Sequence, residues 1–158
     1  LSTGVRTFEA AAFLKGKGAD TVAVKRLFSN SIESNRKRSE IISAAHIYRG
    51  CAIACTAPGT ENARLLSAQA ADELLEVSGV KASFVIFDSG NDSVNISARS
   101  YGDLNVQIIM EYLGGGGHRT MAAAQLTGVN MEEAKSKLCE AIDAKYPRTD
   151  GEEPTTIS

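Results

Sequence analysis

The sequence predicts an α/β domain, a mixed β-sheet flanked by helices. Two observations carry this reading. Strand-like and helix-like segments alternate from residue 41 to residue 146. The turn residues Gly90-Asn91-Asp92 sit between two strand patterns, which implies at least one antiparallel pair and so a sheet that is not all parallel. Length and composition bound the rest. A chain of 158 residues has room for one ordinary domain and an appendage. Hydrophobic content of 43 % with 23 % charged residues is a globular profile. The net charge of -2 gives no bulk attraction for nucleic acid or anionic lipid, so any anion site must be a local cluster. No apolar run is long enough to span a bilayer, and no signal peptide opens the chain.

From the start, Phe8, Ala11, Ala12 and Phe13 recur at helical spacing over Thr7 to Lys17, and Gly16 and Gly18 end that helix. Asp20 is the expected cap of a second short helix with Val22, Val24, Leu27 and Phe28 on its buried face. Residues 1–28 thus read as the closing piece of another domain, since the chain opens on Leu1 in mid-pattern like a cut from a longer polypeptide. Residues 29–40 turn polar, then basic at Arg36-Lys37-Arg38, and read as a solvated linker helix rather than a nucleic-acid patch. The main domain follows at 41–146. Ile47 to Cys55 is a mostly apolar strand punctuated by Pro58-Gly59. Thr60 is the expected N-cap of a helix from Glu61 to Val77 that buries Ala63, Leu66, Ala70 and Leu74. Ser83 to Asp88 is a continuous apolar run of the buried-strand kind.

After the turn, Val94, Ile96 and Ala98 point one way and Asn95, Ser97 and Arg99 the other, an exposed polar strand face. Asp103 or Asn105 caps a helix carrying Val106, Ile109, Met110 and Leu113. That helix runs into Gly114-Gly115-Gly116-Gly117-His118-Arg119. Ala122 to Leu126 is a helix turn or a last strand. Asn130 with Glu133 opens a final helix of Met131, Ala134, Leu138 and Ile142, closed by Pro147. Residues 147–158 are polar and aperiodic and read as disordered.

The glycine tract is the candidate site. Four glycines leave amides without side-chain cover, so a backbone nest for an anion is expected at Gly115, Gly116 and Gly117. His118 can donate to an oxygen or move a proton, and Arg119 can fork two donors onto a phosphate. Alanine at any of the three glycines is expected to cost binding and spare the fold. The lysine of a Walker loop and the spacing of a dinucleotide fingerprint are missing. Cys51, Cys55 and Cys139 read as reduced core thiols, and with His46 and His118 they build no metal-ligand spacing.

Ile96-Ser97-Ala98-Arg99-Ser100, then a helix, then Leu113-Gly114-Gly115-Gly116-Gly117-His118 with alanines after it, resembles the DHH-associated C-terminal domain of the DHH phosphoesterase family. Thr3-Gly4-Val5-Arg6-Thr7-Phe8-Glu9-Ala10-Ala11, leading to Lys17-Gly18-Ala19-Asp20, resembles the end of the catalytic DHH domain. Within the family the chain looks most like the membrane-anchored cyclic-di-AMP phosphodiesterases of bacteria. It departs from the pattern at Met121 and Ala124, where a small residue and a glycine are usual. The resemblance implies a partner domain upstream that holds two manganese ions, with no metal bound by this portion. It implies that Arg99, Ser97 and Ser100 hold one end of a nucleotide and that Gly115, Gly116, Gly117, His118 and Arg119 meet its phosphate or base. The ligand implied is a cyclic dinucleotide or short oligonucleotide. The location implied is cytoplasmic, without membrane contact by this portion, with a homodimer also allowed. An oligoribonuclease or phosphoadenosine-phosphatase relative of the same family is the second reading. An RNA-binding module is the third, disfavoured by the acidity and by aromatics confined to core-like positions.

Overall fold

Ten elements run through residues 21–148, the part of the chain that its computed structural model describes. The helix expected over Thr7 to Lys17, the Asp20 cap and the tail beyond residue 148 lie outside the described residues. The chain divides into two units at Glu40/Ile41, and the sheet belongs to the second.

Helix α1 spans Thr21–Ser43 without a break, where the sequence suggested a short helix ending near residue 28 and a separate linker. No glycine or proline interrupts this stretch, and the polar run Ser29-Asn30-Ser31 lowers propensity without stopping a helix. Val22 is 61 % exposed and so is not on a buried face. The basic run is mixed in character. Arg36 bonds Glu33 and Glu40 on the surface, whereas Arg38 is buried, with its Nη2 donating to Asn35 Oδ1 at 2.7 Å.

The expected strand over Ile47 to Cys55 is two strands. Strand β1 (His46–Tyr48) and β2 (Cys51–Cys55) form an antiparallel pair, reversed at Arg49 and Gly50, both at positive φ. Helix α2 (Ala63–Leu75) then carries the chain across to β3 (Ala82–Gly90), which pairs parallel with β2. Asn62, not Thr60, is its N-cap residue and makes no side-chain cap bond, while the Thr60 hydroxyl donates to the Ala57 carbonyl at 2.6 Å. A tight turn with Asn91 and Asp92 at positive φ returns the chain as β4 (Ser93–Ser100). Helix α3 (Val106–Tyr112), capped by Asn105 through the Gln107 amide, leads to β5 (Gly116–Gly117) and β6 (Met121–Thr127). Helix α4 (Met131–Lys145) closes the fold, its first turn capped by Asn130 accepting from the Glu133 amide at 2.8 Å.

The strand order is β1-β2-β3-β4-β6-β5, and β2–β3 is its one parallel pair. The mixed sheet flanked by helices is as the sequence predicts. On one face Ile53, Phe84, Ile86 and Ile96 meet Ile109 and Met110 of α3 and Leu138 and Ile142 of α4, all essentially buried. Each such side chain contributes about 1.5–3 kcal/mol relative to staying exposed. On the other face α2 sets Leu66, Ala70 and Leu74 against Ala52, Ala54 and Val85. The Ser83 hydroxyl donates to the Ala71 carbonyl at 2.6 Å and ties that helix to β3. The buried apolar strand residues of this second face lie on β2 and β3; on β4 and β6 the same face changes character, and the candidate site lies there.

Candidate functional site

Strand β4 is central, held by β3 on one side and β6 on the other, so its polar residues are largely covered rather than exposed as expected. Register fixes which residues share the face turned toward α2. Arg99 pairs with Met121, Ser97 with Ala123, Asn95 with Gln125, and Ser93 with Thr127. Gly116 pairs with Ala123 in turn, and the His118 and Met121 backbones bond each other across the β5–β6 hairpin. Three rows therefore cross the sheet. They are Arg99–Met121–His118, Ser97–Ala123–Gly116, and Asn95–Gln125. Alternate residues of a strand are about 6.6 Å apart, so the outer rows stand about 13 Å apart, and adjacent strands are about 4.8 Å apart. The middle row has a hydroxymethyl, a methyl and no side chain at all. The result is a shelf with a bare floor, cationic at one end and carboxamide-lined at the other.

At the cationic end, Arg99 is held in place but not used up. Its Nε donates to Asp72 Oδ1 of α2 at 3.0 Å and its Nη1 to the Ala98 carbonyl at 2.9 Å, which leaves Nη2 without a bond among the described residues. The side chain is 13 % exposed against 64 % for Asp72, so the pair orients the guanidinium from its wet edge. Exposed pairs of this kind add little to stability, about 0–1 kcal/mol. The imidazole of His118 is exposed and makes no side-chain bond among the described residues. Ser97 Oγ likewise has no described partner. A fork donor, an imidazole and a hydroxyl facing one bare floor can orient an anionic oxygen and offset its charge.

Ser100 and Arg119 are placed elsewhere. Strand alternation puts Ser100 on the opposite face from Ser97 and Arg99. Its hydroxyl donates to the Arg119 carbonyl at 3.1 Å and accepts from the Gly102 amide at 3.2 Å. Arg119 Nε donates to the Gly102 carbonyl at 2.6 Å, and the Arg119 carbonyl also accepts from the Val106 amide at 3.1 Å. These two residues bind the hairpin tip to the end of β4 and the start of α3, which fixes where His118 stands.

The expected glycine nest is largely closed. The amides of Gly114 and Gly115 donate to the Glu111 and Met110 carbonyls and finish α3, and the His118 amide donates to Met121. Gly116 and Gly117 form a strand, and the α-helix end that meets the tract is a C-terminus, whose dipole does not favour anions. What needs glycine is protein contact. An added Cβ at Gly115 would overlap the Ala123 carbonyl oxygen and come 2.6 Å from Ala124 Cα, and one at Gly117 (φ 145°) would come 2.6 Å from Ala122 Cα. At Gly116 it would meet nothing within 4 Å. The expectation that alanine spares the fold is therefore overturned at Gly115 and Gly117 and stands only at Gly116.

Sequence reasoning left out the other end. Arg64, on the first turn of α2, sits with its guanidinium 5.6 Å from the centre of the Phe87 ring. Phe87 is the β3 partner of Asn95, so Arg64, Phe87, Asn95 and Gln125 run in one line. With Gly114, Gly115 and Thr127, the polar members of that line border an open cleft of about 540 Å³, a size suited to a small organic ligand. The signal for Asn95 was present in the alternation of β4; an arginine beside an unremarkable helix start gives none. Two further tyrosines, Tyr101 and Tyr112, are exposed and not core aromatics. The described residues offer no group of three or more His, Cys, Asp or Glu side chains able to hold a metal ion. Nor is any described helix long and apolar enough to cross a membrane.

Residues 52–146 match the DHHA1 domain. Cyclic-di-AMP phosphodiesterase GdpP of Geobacillus thermodenitrificans is 52 % identical over 143 residues, which cover 90 % of this chain and 22 % of that protein. Cyclic-di-AMP phosphodiesterase PdeA of Listeria monocytogenes is 46 % identical over 147 residues, covering 92 % of this chain and 22 % of its own length. The chain thus spans about a fifth of these relatives. The crystal structure of an exopolyphosphatase-related protein from Bacteroides fragilis shares the fold, with a TM-score of 0.62 and 21 % identity, over 89 % of this chain and 43 % of that one.

Proposed function

The chain belongs to the DHHA1 domain family, and from that premise we propose that it is the substrate-gripping part of a phosphodiesterase that opens cyclic dinucleotides, cyclic-di-AMP first among them, to linear products. The observation that carries this reading is the bare-floored shelf with Arg99, Ser97 and His118 at one end. A phosphodiester laid on that floor meets a guanidinium nitrogen, a hydroxyl and an imidazole, which orient it and balance its charge. The bare middle row leaves height for a sugar or base to lie against the backbone. Gly116 contributes by having no side chain, and Asp72 by holding the Arg99 fork at its outer edge.

Cleavage needs a nucleophile that these residues do not make. Manganese, when held by a catalytic domain elsewhere in the longer protein, supplies an activated water. No group of three or more His, Cys, Asp or Glu among the described residues could hold that ion, and on this reading the catalytic domain holds it. His118 acting alone as a base is worth about 10²–10⁴ in rate, far short of what phosphodiester hydrolysis requires. The parent enzyme is read as membrane-anchored, with this portion in the cytoplasm. The test is an assay of the 158-residue chain with excess manganese and cyclic-di-AMP, followed by chromatography. No linear product is expected from the chain alone, and turnover is expected once the preceding catalytic domain is fused to it. Turnover by the chain alone that disappears in His118→Ala would overturn this division of labour.

A further inference from the structure

The carboxamide end of the shelf has no part in gripping phosphate, yet it is built. We infer that Asn95 and Gln125, with Arg64 beside them, form a subsite that reads the edge of an adenine base; this rests on the dinucleotide reading above. Asn95 and Gln125 are direct partners across β4 and β6, which places their Cβ atoms about 5 Å apart on one face. Asn95 is 6 % exposed and oriented from behind. Ser89 Oγ lies 3.0 Å from both the Ser93 carbonyl and Asn95 Oδ1. A hydroxyl has one proton to give, so Ser89 serves one of these acceptors at a time; while it holds Asn95 Oδ1 the Asn95 NH₂ keeps both its protons to give, and Asn95 borders the cleft. Gln125 is exposed and makes no bond to another described side chain.

A carboxamide offers one donor and one acceptor at fixed spacing. The N7/N6 edge of adenine presents an acceptor and a donor, which match it in two bonds. The corresponding N7/O6 edge of guanine presents two acceptors, so an amide oxygen there faces a carbonyl. The pair therefore discriminates by mismatch as well as by match. Arg64 supplies the flat partner. Its guanidinium carbon lies 5.6 Å from the centre of the Phe87 ring and the residue is exposed, so a base entering the cleft can stack on it. The roughly 13 Å between this row and Arg99 separates the base end from the phosphate end on one surface.

The experiment is calorimetric titration of the 158-residue chain with cyclic-di-AMP and with cyclic-di-GMP, for the parent and for Gln125→Ala, Gln125→Glu and Arg99→Ala. Gln125 is exposed, so its variants are expected to keep the parent melting temperature, and thermal unfolding checks this. Gln125→Ala is expected to weaken cyclic-di-AMP about tenfold while changing cyclic-di-GMP little, so that preference for adenine collapses. Gln125→Glu, which can only accept, is expected to lose the preference too. Arg99→Ala is expected to weaken both ligands alike and keep their ratio. If the parent binds and Arg99→Ala weakens it, but both Gln125 variants keep the parental ratio, the adenine subsite is wrong and the phosphate-gripping reading stands. If the parent binds neither ligand, both fall.

Discussion

The two faces of this sheet are made from the same strands and behave as different materials. The face under α3 and α4 is dry. It is packed with Ile, Phe and Leu, and burial there pushes the Cys51 thiol up to about 12 and the Cys139 thiol up to about 11. The other face is dry only where α2 covers β2 and β3; over β4, β6 and β5 it keeps an arginine, an imidazole and two carboxamides around a bare floor. Residues one position apart, such as Ala98 and Arg99, serve opposite environments because a strand alternates. A site built this way has its geometry fixed by the packing on its reverse side. Its chemistry can change without disturbing the core.

The seam between the faces offers the strongest way to break that independence. Gly115→Ala drives a methyl group into the β6 backbone at Ala123 and Ala124 and is expected to lower stability by about 3 kcal/mol, read in thermal or urea unfolding. Gly116→Ala faces open space over the shelf and is expected to shift stability by no more than about 0.5 kcal/mol while weakening dinucleotide binding. A pair of variants with equal melting temperatures would show that the tract is not packed as described.

Next in size is a change confined to the shelf. Arg99→Ala is expected to cost about 1.5–3 kcal/mol in binding, the range for a bond to a charged group, and little in stability because its partner Asp72 is at the surface. Titration that returns parental affinity would remove Arg99 from the site. The gentlest probe addresses the sealed face alone. Burial, followed by the bond that Tyr48 donates to Asp143, pushes the Tyr48 phenol up to about 12. In the unfolded chain these thiols and this phenol ionise near their ordinary values, about 8.5 and 10. The fold therefore holds protons that the unfolded chain has lost. Stability is intact below about pH 8.5 and falls as the pH rises toward 12. A flat stability profile between pH 8 and 11 would mean that this face admits water.

Much of this was legible from residue order. Period-two alternation over Val94 to Arg99 placed the shelf's inner strand β4, and the continuous apolar run Ser83 to Asp88 placed its neighbour β3. The side chain of Asn130 announced the last helix. What stayed hidden depended on three-dimensional pairing. The split of β1 from β2 turns on Gly50, which in sequence is one glycine in an apolar run. The glycine tract reads as a loop until β6 is seen against it, because its need for small residues comes from Ala122 to Ala124 and not from its own neighbours. Ser100 was grouped with Arg99 by the family motif that both belong to, although alternation alone sends it to the opposite face. Arg64 joins the site only through the β2-α2-β3 crossover, and no local pattern marks that.

The sheet ends in a strand of three residues on one side, β1, and of two on the other, β5. Exposed strand margins are templates on which other chains can add and polymerise, and the hazard grows with the length of unpaired backbone. β5 covers only Ala122 and Ala123 of the seven residues of β6, so Ala124 to Thr127 have no strand partner on that side among the described residues. The truncation that keeps the shelf floor low therefore leaves backbone donors and acceptors bare beside it, where an added strand could dock. Glycine in β5 has no side chain to lock such a newcomer in register.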